Sequence, residues 1–164
     1  MILIAIGSNL AAPGYLSPHQ TAEAALTAFR EVGIQVETRS PWYLSEPVPA
    51  SDQPWFVNGV AAVATGLTPD GLLARLLAVE ARFGRERGRR NAARTLDLDL
   101  LDYDGRLCER EALILPHPRL HQRRFVLAPL CDIAPEWSHP RLGLTAAELL
   151  AALPAGERVR RLEG

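Results

Sequence analysis

A chain of 164 residues that is 48% hydrophobic suits one domain with a buried core. Its net charge of −1 excludes a general pull toward nucleic acid or an anionic membrane, so phosphate chemistry would have to come from local clustering. All 18 basic residues are Arg, which excludes a P-loop lysine, a lysine Schiff base and lysine-linked pyridoxal phosphate, and leaves phosphate binding to the planar guanidinium fork.

The opening run MILIAI has no basic flank and is too short to span a bilayer, so it reads as a first strand ending at Gly7-Ser8-Asn9. Ser17-Pro18-His19-Gln20 has the form of a capping box with Pro at the first helical position. Ala22, Ala25, Leu26 and Phe29 continue it at helical spacing, and Gly33 is placed to stop it. Residues 34 to 44 alternate, with Pro41 marking an edge or a bend. Residues 45 to 54 carry three prolines and form a loop, and 56 to 66 are the next strand. Thr68-Pro69-Asp70 opens a second helix through Leu72, Leu76, Val79 and Phe83, stopped at Gly84.

An arginine-rich loop, GRERGRRNAAR, leads into the strand RTLDLDLL. Asp104-Gly105 is a hairpin turn signal and predicts a short strand returning through Arg106 to Cys108. A third helix is expected from about His121 to Leu130, and Thr145-Ala146-Ala147-Glu148 is a capping box opening a short last helix. Cys108 and Cys131 form neither a metal-binding pair nor a disulfide framework, which suits a reducing, cytoplasmic setting. The order strand, helix, strand, strand, helix, strand predicts an α+β, ferredoxin-like βαββαβ antiparallel sheet. Helices lie on one face, and a hairpin and helices are added at the C-terminal end.

Chemistry concentrates around Asp97 and Asp99. On a strand they share a face, roughly 6 to 7 Å apart, while Leu96, Leu98 and Leu100 share the other. Asp is depleted in strands, and Mg²⁺ commonly takes one or two carboxylates and completes its shell with water and phosphate. An exposed polar face is the plain alternative. Between Arg85 and Arg94 there are five arginines and one glutamate, so a basic loop joins the carboxylate strand. A polyanion bridged by metal on one side and arginine on the other satisfies both signs of charge. His117, Arg119, Arg123 and Arg124 extend the basic surface. Trp55, Phe56, Asn58 and Phe125 are either core aromatics with a polar neighbour or a flat pocket for a planar heterocycle. From these residues alone, a two-metal nucleotidyl or phosphodiester enzyme and a non-enzymatic ligand-binding module both remain open.

The stretches IGSNL (6–10), QPWFVN (53–58), RTLDLDLL (94–101), PHPRLHQRRFVLAPL (116–130) and IAPEW (133–137) together resemble the 6-hydroxymethyl-7,8-dihydropterin pyrophosphokinase family of folate biosynthesis. The resemblance spans nearly the whole chain in the family's order. It implies a single domain that transfers pyrophosphate from ATP to the pterin hydroxymethyl group, releasing AMP, with Asp97 and Asp99 as ligands of two Mg²⁺ ions. It further implies that Arg85 and Arg94 act on the transferring group, and that Glu80, Arg87, Leu100, His117 and Arg123 lie on the nucleotide side. Phe56 and Phe125 would sandwich the pterin, Asn58 would read its edge, and Ser45 and Val48 would border it. A cytoplasmic monomer with no nucleic-acid or membrane partner is the expectation. The chain departs from the family at Asn91-Ala92-Ala93, where relatives often carry an aromatic-Gly-Pro, and at Ala112 and Ile114, where they often place polar nucleotide contacts.

Overall fold

The computed structural model describes residues 1–85 and 93–163. Five strands form one path in the order β5 (Asp97–Tyr103), β1 (Ile2–Ser8), β4 (Phe56–Ala64), β3 (Tyr43–Ser45) and β8 (Val159–Arg161). β2 (Gln35–Arg39) pairs with β4 alongside β3, and each of these strand pairs is antiparallel. The alternating stretch 34 to 44 is therefore two strands on one edge of β4, divided near Pro41. Ser40 bridges the break: its N–H donates to Val60 O and its Oγ accepts from Val60 N.

Both long helices start as their sequences specify. Ser17 caps α1 (Pro18–Phe29) by accepting from Gln20 N at 3.1 Å. The Gln20 side chain accepts from Leu16 N, one residue outside a standard capping box. A 3₁₀ turn at Arg30–Val32 follows and ends at Gly33, whose φ of 82° needs glycine. Thr68 caps α2 (Pro69–Arg82), which buries Leu72, Leu76 and Val79.

α1 and α2 cover one sheet face, where Phe29, Leu72 and Leu76 pack with Ile4, Ile6, Leu98 and Leu100. The C-terminal additions cover the other face. α3 (Arg124–Ile133) and α4 (Ala146–Ala152) pack with Leu3, Val60, Ala62 and Leu101. The capping box of α4 is complete, with Thr145 and Glu148 each bonding the other's backbone. β4 shows why both faces need cover: seven of its nine residues are buried, with no alternation.

Two expectations change. Asp104 (φ 53°) and Gly105 (φ 72°) make the turn, and Arg106 N bonds Tyr103 O, but the returning chain does not pair with β5. Instead β6 (Cys108–Glu109) pairs with β7 (Ile114–Leu115) in a separate two-stranded sheet, which buries Leu113 and Leu115 in the core. The third helix begins later than His121, because a 3₁₀ turn at Leu120–Gln122 comes first.

The pairing of β1 with β5 slips by one residue: Ile4 faces Leu100 and Leu3 faces Asp102, so Leu101 is a bulge. Beyond the bulge Asp102 points to the α3 side, where its carboxylate accepts the Trp137 indole N–H at 2.8 Å and Gly105 N at 3.1 Å.

Candidate active site

Register places the functional side chains in rows across the sheet. Asp97 pairs with Gly7, Gly7 with Asn58, and Asn58 with Tyr43, so these positions share the α3 face. Asp99 pairs with Ala5 one row further on. Gly7 forms floor between two functional side chains, since a Cβ there would meet Asn58 Oδ1 at 3.0 Å. Above this floor lies a cavity of about 570 Å³, lined among others by Ser45, Val48, Phe56, Asn58, Arg94, Asp97, Asp99, Arg123 and Phe125. The two phenylalanines come from β4 and the first turn of α3. The fold thus unites rings that lie 69 positions apart in sequence, half-buried and facing one space.

Each oxygen of Asp97 carries an arginine. Arg85 Nη1 donates to Oδ1 at 2.7 Å and Arg94 Nη1 to Oδ2 at 2.9 Å. Arg85 also donates to Glu80 Oε2 at 2.6 Å, and the same oxygen accepts Leu98 N at 2.7 Å. Burial works against the Arg85 charge, but Asp97 and then Glu80 outweigh it and its pKa rises. Burial pushes the Glu80 pKa up, only partly offset by the Leu98 amide and Arg85. Glu80 is 4% exposed and does not line the cavity; it positions Arg85 and β5 from behind.

Asp99 is held more loosely, with Arg123 Nη1 3.9 Å from Oδ2 and His117 Nε2 4.0 Å from Oδ1. Burial first, and then the Asp97 charge, push its pKa up to about 7, although 32% of its side chain is still reached by solvent. His117 is pushed down to about 4 by burial and then by Arg123, so it is neutral near pH 7. Its Nδ1 accepts Arg119 N at 3.1 Å, which puts its proton on Nε2, the nitrogen nearer Asp99. Burial also lowers the Arg123 pKa, with its guanidinium 5.4 Å from the Phe125 ring centroid.

Asn58 Nδ2 donates to Ser45 Oγ, which fixes the amide so that Oδ1 lies over Gly7. Leu100, like Glu80, does not line this cavity. Its side chain is in the core beneath α1 and α2, because strand alternation places it opposite Asp99. Arg87, Asn91 and Ala92 lie outside the described residues.

Sequence reasoning passed over Asn9. Its Nδ2 donates to Gln53 Oε1 and Pro54 O, both at 3.1 Å, and its Oδ1 accepts Arg94 N at 2.7 Å. One side chain therefore ties the end of β1 to the proline-rich loop and to the base of the arginine loop. The signal available was a polar Gly-Ser-Asn ending an apolar strand.

Among the described residues no cluster of three or more His, Cys, Asp or Glu side chains could enclose a metal. Two carboxylates on one strand, ringed by arginines, offer a partial shell of hard oxygen donors. Such a shell suits a cation that arrives with phosphate oxygens of its own.

A family profile described as 7,8-dihydro-6-hydroxymethylpterin-pyrophosphokinase matches residues 3–135. The chain is 44% identical over 167 residues to the 2-amino-4-hydroxy-6-hydroxymethyldihydropteridine pyrophosphokinase of Pseudomonas aeruginosa, covering 99% of this chain and 97% of that one. It is 40% identical over 158 residues to the protein of the same description from Methylorubrum extorquens, covering 95% and 96%. A crystal structure of Plasmodium falciparum HPPK-DHPS with pteroate shares the fold at a TM-score of 0.67 and 12% identity. The match covers 92% of this chain and 43% of that one. With the match running through both aspartates and both cavity phenylalanines, the chain belongs to the 7,8-dihydro-6-hydroxymethylpterin-pyrophosphokinase family.

Proposed function

We propose that this chain transfers the pyrophosphoryl group of ATP to the hydroxymethyl oxygen of 6-hydroxymethyl-7,8-dihydropterin, releasing AMP. One observation supports this most directly: the paired carboxylates and the Phe56–Asn58–Phe125 set open into the same cavity. The phenylalanine rings suit the two faces of a planar heterocycle, and the Asn58 amide, oriented by Ser45, suits its hydrogen-bonding edge. The triphosphate then falls toward Asp97, Asp99 and the arginines.

Two Mg²⁺ ions held by Asp97 and Asp99, with phosphate oxygens completing their shells, would neutralise charge on the triphosphate. The protein's own part is positioning and electrostatics. Arg85 and Arg94, now on Asp97, are within reach of a phosphate there and can take charge that develops on the transferring group. Arg123 and neutral His117 flank Asp99 as donors to the nucleotide side, with Glu80 holding Arg85 in place. The pterin hydroxyl oxygen attacks the β-phosphorus and gives up its proton to solvent, the bond from that phosphorus to the α,β-bridging oxygen breaks, and the electron pair leaves with AMP. A cytoplasmic monomer is the arrangement we favour, and no helix among the described residues is long and apolar enough to cross a membrane.

The test is the identity of the nucleotide product. With ATP, Mg²⁺ and the pterin alcohol together, AMP should form, and omission of any one should stop it. ADP in place of AMP, or AMP without pterin, would overturn the reading.

A further inference from the structure

The contacts made by the C-terminal arm are not needed for any step above. Glu157 and Arg158 are neighbours in sequence, yet they reach different walls of the cavity. Glu157 Oε2 accepts the backbone N–H of Arg124 at 2.9 Å, at the start of α3, where the N-cap residue Arg123 supplies no side-chain acceptor. Arg124 in turn donates to Pro154 O at 3.3 Å. That first turn of α3 carries Arg123 and Phe125 into the cavity.

Arg158 holds the proline-rich loop. Its carbonyl accepts Glu46 N at 3.2 Å, its N–H donates to Glu46 Oε1 at 3.1 Å, and its Nε donates to Glu46 Oε2 at 3.2 Å. Its guanidinium also lies 5.3 Å from the Trp55 ring centroid. Glu46 and Trp55 stand at the two ends of the loop that brings Glu46, Pro47, Val48 and Pro49 to the cavity. One side chain thus grips both ends of the loop. β8 then pairs with β3, Val159 opposite Ser45, the residue that orients Asn58.

We propose that the Glu157-Arg158 pair is a brace that sets the gap between the proline-rich loop and the start of α3, and that Arg158 is a positioning residue for the pterin. The proposal rests on the pterin reading of this cavity. The brace lies beyond residue 135, where the family match ends, so it is a feature of the C-terminal arm. The Arg158 side chain is 73% exposed, so its ion pair adds little to folding. Its effect is on geometry.

Titration of the pterin alcohol and, separately, of ATP with Mg²⁺ into wild type, Arg158→Ala, Glu46→Ala, the double variant and Phe125→Ala tests this. Arg158→Ala should weaken pterin binding about fivefold, with nucleotide affinity and the thermal midpoint unchanged. Glu46→Ala should do the same, and the double variant should lose less than the sum of the two, because both remove the Glu46–Arg158 side-chain pair. Pterin and nucleotide weakened together with a lower midpoint would mean a merely structural role and overturn the brace. Unchanged pterin affinity in Arg158→Ala with a loss in Phe125→Ala would overturn the brace alone. Unchanged affinity in both would mean that the pocket assignment has failed and the brace with it.

Discussion

Arg85 and Asp97 form an ion pair at 2.7 Å across the gap between the end of α2 and the start of β5, and only 18% and 22% of these side chains is exposed. With Arg94 on the other oxygen, the carboxylate proposed to hold a cation is already occupied by protein cations. On the proposed function, a metal held by Asp97 would have to displace those arginines, whose guanidiniums would then be free for phosphate. Asp97→Asn should therefore cut turnover by about a hundredfold or more, since a neutral amide is a poor ligand for a hard cation. The fold should survive, because Arg85 keeps Glu80. AMP formation set beside a thermal melt checks both halves, and substantial residual activity would sink the assignment.

Arg85→Ala separates catalysis from stability. On the proposed role of Arg85 as a donor to the transferring group, its loss should lower turnover about a hundredfold. It also strands the Glu80 carboxylate, which is buried, so about 3 kcal/mol of stability should go with it. Adding Glu80→Gln should restore much of the stability, by removing the stranded charge, and none of the turnover. Denaturant melts and rate assays on the single and double variants distinguish the two effects.

Gly7→Ala tests the cavity floor. The new methyl would press on Asn58 Oδ1 at 3.0 Å while touching Asp97 only at 3.9 Å. Pterin affinity should fall about tenfold as the amide loses its alignment. Nucleotide binding should change little, and the two dissociation constants measured separately decide the point.

Acid lability should have a source far from the cavity. Glu23 accepts from Nη1 and Nη2 of Arg39, both at 2.8 Å, and from the Trp42 indole N–H at 2.7 Å. The Arg39 hydrogen bonds, against burial, lower its pKa from 4.5 to about 2. A carboxylate depressed in the folded state stabilises above its unfolded pKa, and that stability is lost as pH falls from about 4.5 through about 2. Glu23→Gln should flatten the fall of the thermal midpoint across that window. An unchanged slope would show that other carboxylates dominate.

Much of this was legible in the sequence where chemistry is local. Ser17, Thr68 and Thr145 cap their helices as their spacing specifies, and Asp97 and Asp99 share a face because strands alternate. What sequence hid was contact between distant segments. Nothing in the spacing joins Asn9 to Arg94 or Glu157 to Arg124; only the sheet order and the packing of α3 bring them together. The hairpin after Asp104 failed for the same kind of reason, because burial of Leu113 and Leu115 outweighed a sound local turn. The Leu100 side chain lies in the core, on the face that strand alternation assigns to it.

The slip at Leu101 sets a rule of parity. Asp97, Asp99 and Asp102 all point to the α3 side, although an odd number of steps separates the last from the first two, which an unbroken pleat forbids. Without the extra residue, either Asp102 would enter the apolar core under α1 and α2 or Asp97 and Asp99 would turn inward. The segment between residues 99 and 103 is therefore constrained in length as well as in side-chain identity. The loss or gain of one residue there forces a choice between anchoring Trp137 and keeping the site.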